Sequence, residues 1–195
     1  MKTIGITGGI GVGKSVVSRI LRCKGFEVYD CDSEARRLMD GSERLKTDIA
    51  CRMGAHCILD SGVLDRRAIA EIVFSDDSHR DWLNKAVHEM VRNDLKARIA
   101  HCCGSVMFVE SAILRTGGLL PFCDEVWLVD APEDIRLRRA CSRDGADPDA
   151  VKKRMLSQAG EFSDFGNLTV IKIINDDRLS LLPQIDNQLK ILNKC

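Results

Sequence analysis

Residues Gly8 to Ser15 have the types and the spacing that hold the phosphates of a nucleoside triphosphate. They read Gly-Gly-Ile-Gly-Val-Gly-Lys-Ser and fit the pattern G-x4-G-K-[ST] without a substitution. Glycines let the backbone turn its N–H groups toward an anion, and the helix that follows such a loop offers its positive N-terminus to the same phosphates. Lys14 is expected to reach the β and γ phosphates, and Ser15 to ligate Mg²⁺.

Acidic side chains follow three of the predicted strands. Asp30 and Asp32 come after the second strand, and ligands of open parallel sheets bind beyond the carboxyl ends of strands. Two carboxylates there can orient an attacking hydroxyl, accept its proton or hold magnesium through water, although an Asp pair in this position also serves as a helix cap or turn.

Two residues are candidates for a further acid on the metal side, because Glu110 and Asp130 each follow an apolar run. In P-loop kinases this acid usually comes from the strand beside the P-loop strand, which is the third in sequence. We therefore favour Glu110 and interpret Asp130 as a turn or cap residue before Pro132.

A basic segment provides cations for the phosphates. Arg139 and Arg143 share one helix face at i and i+4. Phosphoryl transfer needs mobile cations that neutralise developing charge and exclude water, so we predict that these two arginines close over the transferring group. We expect Arg136 and Arg138 to be surface residues, and the alternative for the whole segment is a solvated helix face.

Strands and helices alternate along the chain and must position these groups. Continuous apolar runs predict strands at 3–7, 26–29, 105–109, 125–129 and 168–174, and helical patterns occur at 16–23, 34–39, 132–141, 152–158 and 179–192, with a loop at 142–149. The segment from about 44 to 100 has only helical patterns, including an amphipathic run from Trp82 to Ile99. The order predicts an α/β fold with a five-stranded parallel sheet flanked by helices.

Composition indicates one globular domain without a bulk attraction for nucleic acid or membranes. The 195 residues carry 29 Lys plus Arg and 29 Asp plus Glu. The nine cysteines include no CxxC pair and are interpreted as reduced thiols that act as small apolar residues. The start lacks the apolar stretch of a signal peptide, and no run has the length of a membrane span. We expect a cytoplasmic protein that is a monomer or a small homo-oligomer.

The motifs together resemble the dephospho-CoA kinase family over nearly the whole chain. Ile6 to Ser15 is similar to the family's LTGGIGSGKS, and Gly62 to Arg66 matches its G-x-L-D-R segment. The remaining matches are Phe26 to Asp32 with V-I-D-A-D, Val73-Phe74 with "VF", Arg139, Arg143-Asp144 and Gln158 with the spaced R, RD and Q of the lid, and Asn175 with the Asn after the last strand.

The resemblance implies a P-loop kinase that transfers the γ-phosphate of ATP, with Mg²⁺, to the ribose 3′-hydroxyl of dephospho-CoA in the last step of coenzyme A biosynthesis. Asp32 is then the general base, acting with Lys14, Arg139 and Arg143. With the motif chemistry above, the expected site comprises Gly8, Gly9, Ile10, Gly11, Val12, Gly13, Lys14, Ser15, Val16, Arg139, Arg143 and Asn175 for ATP, Asp32, Asp65, Arg66 and His88 for the acceptor, and Ser15 and Glu110 for the metal.

The resemblance also implies an internal organisation for the single domain, 1–195. Its core would be 1–59 and 105–195, with a helical CoA-binding insertion at about 60–104 and a lid at about 139–160. The chain departs from the family at four places: Val16 replaces a usual Thr, Glu89 a usual Pro, Ala112 to Thr116 the segment P-L-L-[FV]-E, and Arg136 a usual Gln.

Other functions remain open on the residues alone. One alternative is a different small-molecule P-loop kinase, with a nucleotide, nucleoside or shikimate-like acceptor. The G-x-L-D-R segment argues against it. A GTP-binding switch protein usually carries N-K-x-D, and the Asn-Lys pairs at Asn84 and Asn193 lack the Asp. A catalytically silent binding protein would not need Lys14, Ser15 and Asp32 together.

Overall fold

The computed structural model describes residues 1–192. The chain forms two compact units, of which one combines Met1–Asp30 with the chain from Cys102 onward and the other is Cys31–His101. The strands are β1 (Lys2–Thr7), β2 (Glu27–Asp30), β3 (Val106–Glu110), β4 (Glu125–Asp130) and β5 (Thr169–Ile174). The helices are α1 (Lys14–Cys23), α2 (Cys31–Gly41), α3 (Glu43–Met53), α4 (Arg66–Ser75), α5 (Asp77–His101), α6 (Glu133–Asp144), α7 (Pro148–Ser157) and α8 (Leu181–Leu192).

The first unit is built on a parallel sheet of five strands in the order β2-β3-β1-β4-β5. Strand β1 lies in the middle, so the loop that follows it emerges at the centre of the carboxyl edge. Both β1 and β3 are almost entirely buried, which explains their continuous apolar sequences. The predicted five-stranded parallel sheet is confirmed.

Aromatic and aliphatic side chains fill the space between the sheet and its helices. Phe108 contacts Phe26 and Trp127 edge to face, with ring centroids 5.5 and 5.1 Å apart. Trp127 is fully buried, and its indole N–H donates to Oε1 of Glu125 at 2.8 Å. The one polar atom of the indole is therefore hydrogen-bonded although it is buried. Glu125 also pairs with Lys2 at 2.7 Å.

The second unit consists of helices α2 to α5. Its core is formed by side chains of α3, α4 and α5 and the segment between α3 and α4, including Leu45, Ile49, Met53, Leu64, Ile69 and Leu83. Helix α5 runs for 25 residues without a break, and Glu89 lies within it. A proline at that position would remove a backbone donor and clash with the preceding turn, so the departure at Glu89 is compatible with a continuous helix.

The predicted loop at 142–149 is wrong, because two helices extend into it from either side. Helix α6 continues to Asp144, where Gly145 adopts the left-handed conformation (φ 60°) that ends many helices. Helix α7 begins at Pro148, and Asp147 caps it by accepting the N–H groups of Asp149 and Ala150 at 2.9 and 3.1 Å. Only residues 145–147 separate the helices.

Across residues 1–192, none of the helices combines the length and the apolar character needed to cross a membrane.

Candidate active site

The loop between β1 and α1 has the backbone shape of an anion cradle. Gly11 and Gly13 have φ values of 79° and 90°, which residues other than glycine rarely adopt. Gly13 is also the N-cap of α1, and no side chain caps the helix there. The start of α1 therefore lies at the loop without a side-chain cap, where the positive end of the helix favours an anion.

Lys14 opens helix α1 and folds back over this loop. Its Nζ donates to the carbonyl oxygens of Gly8 at 2.7 Å and Gly9 at 3.3 Å. The ammonium is thus held at the mouth of the loop rather than in solvent. The next two predicted ATP-site residues, Ser15 and Val16, are exposed on the first turn of α1.

Glu110 ends β3 and lies buried beside the phosphate loop. The register pairs it with Ile6 of β1 on one side and Asp30 of β2 on the other. Burial raises the pKa of the Glu110 carboxyl, the nearby charge of Asp30 raises it further, and Lys14 opposes both effects. The Ser18 hydroxyl of α1 also lowers this pKa, although it does not meet the carboxyl in a well-formed hydrogen bond.

Three buried oxygen atoms in β1, α1 and β3 have no hydrogen-bond partner among the described residues. They are Oε2 of Glu110 itself, Oγ of Ser18 and Oγ1 of Thr7, the last residue of β1 before the phosphate loop. Buried oxygens in proteins are nearly always satisfied, so these atoms indicate a place for a polar ligand or water.

The donor set of this place fits magnesium in the company of a nucleotide. Mg²⁺ prefers oxygen ligands and is usually held by one or two protein groups together with phosphates and water. The Ser15 hydroxyl and the Glu110 carboxylate are groups of this kind. Within residues 1–192, no cluster of three or more His, Cys, Asp or Glu side chains could hold a metal ion by itself.

Sheet order alone does not distinguish Glu110 from Asp130, because β3 and β4 both pair with β1. Their surroundings do. Oδ1 of Asp130 accepts the N–H of Ala131 at 2.9 Å, which is a local turn contact. Glu110 is the buried acid that responds to the charge of Lys14.

Asn175 and Arg139 fasten the phosphate loop to the end of β5. The Asn175 side chain donates through Nδ2 to the carbonyl of Val12 at 2.8 Å. Nη1 of Arg139 donates to the carbonyls of Asn175 at 3.0 Å and Gly11 at 3.4 Å, and Nη2 pairs with Asp177. These two predicted ATP-site residues are therefore brought to the loop.

Arg136 is not the surface residue that the sequence suggested, and that prediction is wrong. It is half-buried, and its Nε donates to the carbonyl of Ile10 at 3.0 Å. The one signal for it in the sequence is the spacing of Arg136 and Arg139, which share a helix face at i and i+3, but this spacing alone does not show which face packs against the loop. The expectation for Arg138 is confirmed: it is exposed and pairs with Asp177 at 2.7 Å.

Arg143 lies on α6 with Arg139, but in this structure its guanidinium pairs with a carboxylate. Nε and Nη2 donate to the two carboxylate oxygens of Asp144 at 2.7 and 3.1 Å. Asp144 also accepts from Arg154 at 3.3 Å, which joins α6 to α7. The role predicted for Arg143 over the transferring phosphate stays a prediction.

The remaining predicted residues belong to the second unit. Asp32 is exposed in the first turn of α2, and His88 is half-buried on α5. Asp65 caps α4 by accepting the N–H groups of Arg67 and Ala68 at 3.0 Å each. Arg66, the first residue of α4, pairs with Asp40 at 2.8 Å. Asp65 and Arg66 thus lie together at one helix start, and their acceptor role stays a prediction.

Comparison with known proteins shows which family this chain resembles. The family model for dephospho-CoA kinase matches residues 2–177. A dephospho-CoA kinase of Porphyromonas gingivalis is 42% identical over 163 residues, which are 84% of this chain and 80% of that protein. The crystal structure of TT1252 from Thermus thermophilus superimposes with a TM-score of 0.79 at 31% identity, covering 99% of this chain and 96% of the other.

A dephospho-CoA kinase from Campylobacter jejuni shares the fold, with a TM-score of 0.68 at 22% identity over 100% of this chain and 97% of its own. The family match covers the phosphate loop, Glu110, Arg136, Arg139 and Asn175, which are the groups that the structure gathers at the carboxyl edge of the sheet. The chain therefore belongs to the dephospho-CoA kinase family.

Proposed function

We propose that this protein transfers the γ-phosphate of ATP to the ribose 3′-hydroxyl of dephospho-CoA. The observation that carries the proposal is the glycine loop, with an uncapped α1 behind it and Lys14 held across its mouth, in a chain of the dephospho-CoA kinase family. Such a loop binds a triphosphate, and the family supplies the acceptor.

The loop and Lys14 bind and orient the donor. Backbone N–H groups from Gly9 to Ser15 surround the phosphates, while Lys14 exchanges its contacts with the Gly8 and Gly9 carbonyls for phosphate oxygens. Because the loop fixes the backbone donors before ATP arrives, they stabilise the charge of the transition state with little reorganisation, and Lys14 is the donor that changes its partners.

Asp32 is the proposed general base. It orients the ribose hydroxyl of the acceptor for in-line attack on the γ-phosphorus and takes the hydroxyl proton as the new P–O bond forms and the bond to the β-phosphate oxygen breaks. Asp32 presents an exposed carboxylate in the first turn of α2, where an incoming substrate hydroxyl can reach it.

Ser15 and Glu110 are the residues that would hold magnesium. When bound with ATP, the metal neutralises charge on the β and γ phosphates. The raised pKa of Glu110 reflects a carboxylate that lacks sufficient compensation in the protein alone, which is consistent with a site completed by a cation.

Arg139 and Arg143 are proposed to stabilise the transferring phosphoryl group, with Arg139 already at the loop and Arg143 released from Asp144. Asp65, Arg66 and His88 are proposed to bind dephospho-CoA, within a helical insertion at about 60–104, and 139–160 is proposed as the lid. The cytoplasmic location also stays a prediction.

An acceptor panel tests the function. Purified protein with ATP and Mg²⁺ is incubated with dephospho-CoA, AMP, adenosine or shikimate, and ADP and phosphorylated product are measured by mass spectrometry. We expect product only with dephospho-CoA and a loss of about 10²-fold or more in Lys14→Met. ADP formation with another acceptor, or selective binding of GTP with slow hydrolysis, would contradict the proposal.

A further inference from the structure

Arg136 of α6 lies directly against the middle of the phosphate loop. An ideal Cβ built on Gly9 would lie 2.2 Å from Nη2 of Arg136 and 2.9 Å from its Cζ, so the guanidinium occupies the space that a side chain at Gly9 would need. Nε donates to the Ile10 carbonyl at 3.0 Å. An ideal Cβ on Gly11 would be 2.3 Å from the Arg136 backbone oxygen. The loop is thus packed around this one residue.

The donors of Arg136 are used differently from those of the other arginines on α6. Both Nη atoms of Arg139 are engaged by backbone carbonyls, Asn175 and Asp177. Arg143 is matched by the carboxylate of Asp144. Within the part of the chain that the structure describes, the Arg136 side chain makes a hydrogen bond only through Nε, and no carboxylate pairs with it.

The half-buried guanidinium of Arg136 has four N–H donors that lack a hydrogen-bond acceptor in residues 1–192 of the protein. Guanidinium groups present five donors in a planar fork that matches phosphate oxygens. Arg136 also lines a cleft of about 270 Å³, whose other walls include Lys152, Met155, Leu156 and Phe162. A second cation and open space therefore lie next to this residue.

We propose that Arg136 is a phosphate-binding residue of this kinase and that its Nη groups contact the γ-phosphate held by the loop. The middle of a P-loop wraps the β and γ phosphates, so a guanidinium against Gly9 and Ile10 is next to them. The inference rests on the proposed function only for the identity of the donor nucleotide, not for the acceptor.

Nucleotide affinity tests this role without any acceptor present. Kd values for ATP and ADP, each with Mg²⁺, are measured by calorimetry for the native protein, Arg136→Gln, Arg136→Lys and the control Arg138→Gln. Gln is the residue that the family usually carries at 136, and Arg138 is an exposed neighbour that pairs with Asp177. Thermal unfolding without nucleotide reports whether each variant folds.

We expect Arg136→Gln to weaken ATP by about tenfold or more and ADP by less than about threefold, because an ionic hydrogen bond to the γ-phosphate is lost only with ATP. The ATP affinity of Arg136→Lys should lie between those of Arg136→Gln and the native protein. The ATP and ADP affinities of Arg138→Gln should match those of the native protein. If Arg136→Gln does not fold, Arg136→Lys carries the same comparison of ATP with ADP.

Equal losses for ATP and ADP would show that Arg136 only supports the loop, and unchanged affinities would show that it does not bind phosphate at all. Either result overturns the inference. Failure of the proposed function has a different signature, because ATP would bind with the expected pattern while dephospho-CoA remained unphosphorylated.

Discussion

The Asn175 side chain donates to the Val12 carbonyl at 2.8 Å and thereby ties the residue after β5 to the phosphate loop. The same Nδ2 lies 2.4 Å from where a Cβ on Gly13 would be, so Asn175 and Gly13 are packed as closely as a glycine permits. The backbone N–H of Asn175 donates to Asp130 at 2.8 Å, which fixes this connection to the sheet.

Asn175→Asp should weaken ATP binding by about tenfold, because a carboxylate would face the Val12 carbonyl and add negative charge beside the phosphates. Asn175→Ala should cost less, since it removes the donor without adding repulsion. Calorimetric titration with ATP measures both. Equal affinity in Asn175→Asp and the native protein would mean that this contact does not shape the loop.

Glu110→Gln should stabilise the protein without nucleotide. The folded pKa of Glu110 is raised, so the folded chain holds this proton more tightly than the unfolded chain does. Ionisation therefore lowers the stability of the native protein progressively as the pH rises above the ordinary glutamate value of about 4.3. The stability gain of the variant should be absent below that pH, grow as the pH rises to the folded pKa, and stay constant above it.

Thermal melts across this pH range measure the effect, which we expect to be a few degrees, since about 1 kcal/mol corresponds to roughly 2–4 °C in a protein of this size. Glu89→Gln, at an exposed position, is the control. The same Glu110→Gln variant should bind ATP with Mg²⁺ more weakly than native protein. A lower Tm at neutral pH would argue against the electrostatic account.

Asp32→Asn should lower turnover by roughly 10²-fold or more with little change in ATP affinity, because it removes the proposed base and leaves the phosphate loop intact. Steady-state kinetics with dephospho-CoA, combined with ATP titration, separate the two quantities. Asp30→Asn is the matched variant, since Asp30 ends β2 two residues earlier. If Asp30→Asn abolishes turnover while Asp32→Asn does not, the base assignment moves to Asp30.

The cysteines should differ sharply in reactivity. Burial raises the pKa of Cys123 to about 12, and burial also raises the pKa of Cys57. Cys23 and Cys51 are exposed. Iodoacetamide at pH 8 should modify Cys23 and Cys51 and spare Cys123, because burial blocks access to the Cys123 thiol and its raised pKa keeps it protonated. Peptide mass spectrometry gives the site-by-site yield, and rapid labelling of Cys123 in folded protein would contradict this packing.

The sequence predicted those parts of the fold whose signals are local. The strand-loop-helix context of Gly8 to Ser15 and the apolar runs of β1, β3 and β4 are local patterns, and the sheet followed from their order. The prediction of a loop at 142–149 is wrong because Gly145 and Pro148, which are common in loops, each lie at a helix end here.

Arg136 shows what the sequence could not decide. A charged residue on a helix is solvated more often than not. Only the packing of α6 against the phosphate loop determines that Arg136 and Arg139, of the four arginines on this helix, donate hydrogen bonds to the loop. The choice of Glu110 over Asp130 is similar. The sheet order makes both strands neighbours of β1, and burial rather than adjacency separates the two acids.

The central place of β1 has a consequence for how the protein opens and closes. Each edge strand, β2 or β5, has one neighbour in the sheet, whereas β1 is hydrogen-bonded on both sides. Local unfolding begins at edges and termini, so amide hydrogens of β1 should exchange with solvent more slowly than those of β5. The strand that carries the phosphate loop is then among the last parts of the sheet to unfold. The nucleotide site therefore stays intact while the edge strands unfold locally.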